Sequence, residues 1–156
     1  MNSKLSWISR IASTVLLISI LAAPALPQQL SPRVGVTVYE SPTCGCCGKW
    51  ASYLQENGFK VEKINMSYSE LDAVHARYGV PPSLRQCHIA IVQDYVIEGH
   101  VPVDAIRRLL KEKPPVVGLV VQGMPIGSPG MEGLVAQHYD VLAFDRLGRL
   151  SVYAQK

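Results

Sequence analysis

Strand-forming and helix-forming segments alternate through most of this chain, and that order restricts it to a sheet covered by helices. In "RVGVTVYE" (33–40) Val34, Val36 and Val38 recur with the period of two that marks a strand. The helical stretch "GKWASYLQENG" follows, with Trp50, Tyr53 and Leu54 at helical spacing and Asn57-Gly58 as its stop. "FKVEKINM" (59–66) predicts a second strand, and "SELDAVHARYGV" a second helix capped by Ser69, with Leu71, Val74 and Tyr78 on one face and His75 towards solvent. "PPSLRQ" (81–86) is a turn, since its prolines cannot continue a helix.

Two short strands, Ile89 to Val92 and Tyr95 to Glu98, then fold about Gln93-Asp94. "VPVDAIRRLLKEKPP" predicts a third helix with Ile106, Leu109 and Leu110 inward, "VVGLVVQ" (116–122) a buried strand, and "YDVLAFDRLGRLSVYAQ" a hairpin turning near Leu147-Gly148. The fold class is therefore α/β, a single domain with helices flanking a sheet that is mixed because of its hairpins. In such a sheet the strand after the 81–86 turn lies beside the first.

The chain has 156 residues, which suits one domain, but its start is of another kind. Lys4 and Arg10 precede an apolar run from Ile11 to about Leu26, and Ala23-Pro24-Ala25 offers an A-x-A cleavage site. The run is short for a membrane span, which prefers about 20 residues. Residues 1–25 are read as a secretory signal peptide, 26–33 as a flexible segment and 34–156 as the folded domain. Of the 15 lysines and arginines, Lys4 and Arg10 fall in this leader, leaving 13 against 12 acidic residues, a net charge of +1. That balance gives no electrostatic footprint for nucleic acid or for an anionic membrane. Roughly 130 residues remain, enough for a core without disulfide support.

Three of the four cysteines stand within four positions of "SPTCGCCGKW": Cys44, Cys46 and Cys47. Cys44 and Cys47 have the spacing of a thiol-disulfide exchanger, which Cys46 does not serve. A helix N-terminus stabilises thiolate, and thiolate is both nucleophile and metal ligand, so this locality alone leaves redox and metal chemistry open. The fourth cysteine, Cys87, begins the strand expected beside the first, so four thiols converge. His88 alternates to the opposite strand face and is the weaker ligand candidate. His100, at the mouth of the third helix, is placed to approach the cluster. In "QGMPIGSPGMEG" (122–133) four glycines and two prolines hold Met124 and Met131 on a loop. Thiolate with thioether is the ligand set that selects Cu(I). Four thiolates also suit zinc, but C-x-C-C crowds three onto one turn, so copper is favoured.

Together "SPTCGCCGKW", "GVPPSLRQCH", "YVIEGHVP", "GLVVQGMPIGSPGMEG" and "YDVLAFD" resemble the CopG-type periplasmic copper-resistance proteins, long described as a domain of unknown function, over about Val34 to Tyr153. The resemblance implies a thioredoxin-like mixed β-sheet. It also implies that Cys44, Cys46, Cys47 and Cys87 bind copper as a thiolate-bridged Cu(I) cluster, with Met124 and Met131 matching the family's loop. The expected function is periplasmic copper binding in resistance, with copper ions and other periplasmic copper-handling proteins as partners and a copper-linked redox step compatible with the ligand set. The alternative, a thiol-disulfide oxidoreductase, uses Cys44 as nucleophile and Cys47 as resolving thiol, opposite Pro81 or Pro82.

Overall fold

In the computed structural model, which describes residues 33–156, the strands and helices follow the predicted order. The expected signal peptide over 1–25 and the segment that follows it, up to residue 32, lie outside the described residues. The strands are β1 (Gly35–Glu40), β2 (Lys60–Asn65), β3 (His88–Val92), β4 (Tyr95–Glu98), β5 (Gly118–Val120), β6 (Asp140–Phe144) and β7 (Leu150–Gln155). The helices are α1 (Gly45–Glu56), α2 (Tyr68–Arg77) and α3 (Val103–Glu112), with a short 3-10 turn over Pro82–Leu84.

All seven strands form one sheet in the order β2-β1-β3-β4-β5-β6-β7. β1 runs parallel to β2 and β4 to β5, while β1–β3, β3–β4, β5–β6 and β6–β7 are antiparallel. The described residues thus form the expected single α/β domain with a mixed sheet. The placement of β3 beside β1, with Glu40 opposite His88, brings the start of β3 to the end of β1 that feeds the cysteines.

Strand alternation sends neighbouring residues into two cores. On one face Val36, Val38, Ala90, Val92, Ile97 and Leu119 meet Trp50 and Leu54 of α1 and Ile106 and Leu109 of α3. On the other, Ile89, Val96, Val120 and Phe144 meet Leu71 of α2. Leu110 is partly buried against the first core, as its spacing predicts. Burial of each such large side chain stabilises by about 1.5–3 kcal/mol, so these two clusters anchor the sheet that carries the site.

Three local expectations are corrected. The cap of α2 is Ser67, not Ser69: its hydroxyl accepts from the Glu70 N–H and the Glu70 carboxylate accepts from the Ser67 N–H, a reciprocal capping box. His75 does not face solvent; it is 2% exposed, because one turn after Leu71 it continues the buried stripe of α2. The strand predicted over 116–122 is shorter, Gly118–Val120: Val116 is still in the turn, its N–H donating to the Pro114 carbonyl, while Val117 already bonds to Phe144 and Val96 on either side. Among the described residues no helix is long and apolar enough to cross a membrane.

Candidate metal centre

The cysteine motif is built by a turn that runs into a helix. The Cys44 N–H donates to the Ser41 carbonyl at 3.0 Å, closing a β-turn whose second position is Pro42, where its fixed φ is suited. Cys44 caps α1, so Cys46 and Cys47 occupy the first helical turn. Cys47 points into the core and is fully buried, whereas Cys44 and Cys46 are half-buried. Cys44 and Cys47 are joined in a disulfide across one helical turn, with their Cα atoms 5.4 Å apart. Cys46 and Cys87 are free thiols.

Cys87 arrives from the segment before β3 and completes the group. Its Sγ lies 3.1 Å from that of Cys47 and 3.3 Å from that of Cys44, while the Cys46 Sγ lies 3.5 Å from that of Cys44. All four sulfurs fall within 4.8 Å of one another. Burial, then the neighbouring Cys46, pushes the Cys87 thiol up to about 11, so it keeps its proton at neutral pH. An ion taking this sulfur as thiolate must displace that proton.

The glycine-proline loop closes over the group. Gly130, at φ +83°, rests on the first turns of α1, where a Cβ would meet the Trp50 N–H nitrogen at 3.0 Å and the Cys46 carbonyl oxygen at 3.3 Å. A side chain there would lift the loop. Met124 reaches the cluster: its Sδ lies 3.6 Å from the Cys46 Sγ and 3.8 Å from the Cys87 Sγ. Met131 serves the loop's own turn, its N–H donating to the Ser128 carbonyl and its carbonyl accepting from the Gly127 N–H, both at 2.8 Å. No sulfur contact joins Met131 to a cysteine among the described residues.

His88 and His100 lie behind the sulfurs in the core. The His88 Nε2–H donates to the Gly99 carbonyl at 3.1 Å, which turns the lone pair of Nδ1 towards the Cys87 Sγ at 3.9 Å. Its ring stacks on Trp50 at 4.7 Å, and burial followed by His100 lowers its pKa to about 3. His100 is fully buried, 5.4 Å ring to ring from His88, with neither nitrogen hydrogen-bonded among the described residues. Its pKa is lowered by burial, against the pull of the Pro129 carbonyl and the Glu132 carboxylate.

Glu98 and His75, neither singled out as a site residue from the sequence, flank Cys87 on the α2 side. The period-two pattern of "YVIE" places Glu98 with Val96 on the buried α2 face, and that was the available signal. Its carboxylate accepts from the Gln86 N–H at 3.0 Å and lies 3.3 Å from the His75 Nε2. A surface hollow of about 880 Å³ between Tyr78, Val117 and Arg149 contains none of the cysteines.

Residues 84–131 match the family described as "Protein of unknown function, DUF411". No curated protein matches the chain. Two solved structures, "Copper resistance protein copG- Form 1" and "Form 2", are each 39% identical to it, covering 80% of this chain and 98% of theirs, with TM-scores of 0.73 and 0.72. With that identity over nearly the whole of those chains, and with the four cysteines converging at one end of a mixed α/β sheet, the protein belongs to the CopG-type copper resistance family.

Proposed function

We propose that this is a periplasmic copper-binding protein of copper resistance, which captures Cu(I) on the thiolates of Cys44, Cys46, Cys47 and Cys87. The observation that carries this reading is the gathering of four sulfurs from two separate elements within 4.8 Å of one another. Sulfurs so close share ions more readily than they enclose a single one, so several Cu(I) ions bridged by thiolates form the bound state. The Met124 thioether beside Cys46 and Cys87 favours a soft monovalent ion over zinc. His88, with Nδ1 turned to Cys87, is the nearest nitrogen donor. Met131 and His100 stand further out, one stiffening the lid loop and the other filling the core behind the site.

Copper loading in this reading begins with reduction of Cys44–Cys47 by an external dithiol, which is itself oxidised to a disulfide, and each thiol that binds gives up a proton. Closing the disulfide again releases two electrons, enough to reduce two Cu(II) to Cu(I), which would link the redox state of the cysteines to that of the metal. Other periplasmic copper-handling proteins would supply or accept the ions. Residues 1–25 act as the export signal and 34–156 as the metal-binding domain, with a thioredoxin-like arrangement of the motif at a strand end and helix start.

The second reading, thiol-disulfide exchange through Cys44 and Cys47, is favoured by the disulfide between them. It leaves Cys46, Cys87 and Met124 without work. The Pro81 ring, in addition, packs near Gly148 of the last hairpin. Titration of the reduced, anaerobic protein with Cu(I) against a coloured chelator separates the two. More than one tightly held Cu(I) per chain is expected; one or none would leave the exchanger.

A further inference from the structure

Cys87 is the one sulfur of the group that the C-x-C-C motif does not supply, so the geometry of the whole group depends on where the segment before β3 is held. Several contacts hold it, and three of them lie at Gln86 and His88, the residues on either side of Cys87. Glu40 pairs with His88 across the sheet. Gly99 is packed against Gln86, since a Cβ at Gly99 would meet the Val121 carbonyl oxygen and lie 3.3 Å from the Gln86 Cγ. The third contact is polar: the Gln86 N–H donates to Glu98 Oε2 at 3.0 Å.

Glu98 is an unusual anchor. It is fully buried, and its other oxygen, Oε1, has no hydrogen-bond partner among the described residues. Its neighbour is a second buried titratable group. The His75 Nδ1–H donates to the Leu71 carbonyl at 2.8 Å, which fixes the ring with Nε2 3.3 Å from Glu98 Oε2 but without a hydrogen-bond partner among the described residues. A backbone N–H can be satisfied by any carbonyl or by water, so a buried carboxylate backed by a buried imidazole is costly for that task alone. What this pair adds is a fixed, stiff acceptor whose side-chain length sets the position of the residue before Cys87.

We propose that Glu98, packed against His75, is the positioning residue that holds Cys87 in register with the C-x-C-C thiols. This rests on the proposed metal-binding reading for its purpose, although the positioning itself is readable without metal. It parallels the way outer-shell partners orient metal ligands in other sites.

Two substitutions separate length from charge. Glu98→Asp keeps the charge but withdraws the carboxylate by one methylene, out of reach of the Gln86 N–H. Glu98→Gln keeps the length and an acceptor oxygen but removes the charge. In the reduced, metal-free protein the rate of Cys87 alkylation by iodoacetamide, relative to Cys46 in the same molecules, is followed by peptide mass spectrometry, with urea midpoints recorded alongside. Glu98→Asp is expected to change the Cys87 to Cys46 ratio several-fold and to lower Cu(I) capacity, while Glu98→Gln stays near wild type in both. A wild-type ratio in Glu98→Asp, even with a lowered urea midpoint, overturns the proposal, as does a larger change in Glu98→Gln than in Glu98→Asp. Failure of the wild-type protein to bind Cu(I) would instead reject the metal reading, leaving the alkylation ratio to decide the positioning on its own.

Discussion

The sulfurs of Cys47 and Cys87 lie 3.1 Å apart across 40 residues of sequence, and Cys87 is almost as close, 3.3 Å, to the other half of the Cys44–Cys47 disulfide. A sulfur nearly equidistant from both ends of a disulfide sits broadside to it. Thiol-disulfide exchange needs the incoming sulfur in line with the bond it breaks, so Cys87 lies off the line of attack on either end of Cys44–Cys47.

The closed disulfide leaves two thiols, Cys46 and Cys87, for a metal. Thiol titration before reduction should therefore find two reactive groups per chain, rising to four after treatment with a phosphine reductant. Cu(I) capacity should rise in the same step. Equal capacity before and after reduction would mean that Cys44 and Cys47 are not ligands.

Cys46 is dispensable to a Cys44–Cys47 exchanger but sits between Cys44 and Met124, at 3.5 and 3.6 Å. Cys46→Ala should leave the disulfide and the urea midpoint intact, since the residue is half-buried on the first turn of α1. Copper capacity should fall by about one ion or more, consistent with loss of one bridging thiolate. Undiminished loading in the anaerobic chelator titration would remove Cys46 from the site.

Much of this arrangement was legible from residue spacing. The order of the elements fixes β3 beside β1, and with it the convergence of Cys87 on the C-x-C-C motif, because short connections leave few other places for that hairpin. Met124 was harder, since a glycine-proline loop has no periodicity and only its folded path, seated through Gly130 on α1, brings one methionine to the sulfurs and not the other. Glu98 and His75 were missed for a different reason. Composition argues that such residues stay at the surface. Their burial follows from alternation along β4 and from the stripe of Leu71 and His75 on α2, two local patterns that gain meaning together only once α2 packs on the sheet.

Met124 has a left-handed backbone, φ +46°, and a thioether 3.6 Å from Cys46. Met124→Leu keeps the volume, and such swaps usually cost less than about 1.5 kcal/mol of stability. If the sulfur is a donor, Cu(I) affinity should fall by roughly tenfold, about 1.4 kcal/mol, with the urea midpoint little changed. Unaltered affinity would make Met124 a lid residue alone.

The buried histidines set an acid limit on the metal-free fold. The pKa of His88 falls from 6.5 to about 3 on folding, chiefly through burial. The unfolded chain therefore binds the proton first, and the stability contributed by neutral His88 is complete above pH 6.5 and lost as pH falls towards 3. The slope is at most about 1.4 kcal/mol per pH unit. His100, also lowered by burial, acts in the same direction. Glu98 opposes both, because burial raises its pKa and the fold then favours its protonated form as pH drops. Urea midpoints of the metal-free protein should thus decline from neutral pH into the acid range. His88→Phe, which can keep the stacking on Trp50 while losing the hydrogen bond to Gly99, should start lower and decline less steeply. A wild-type slope in that variant would assign the acid sensitivity to other groups.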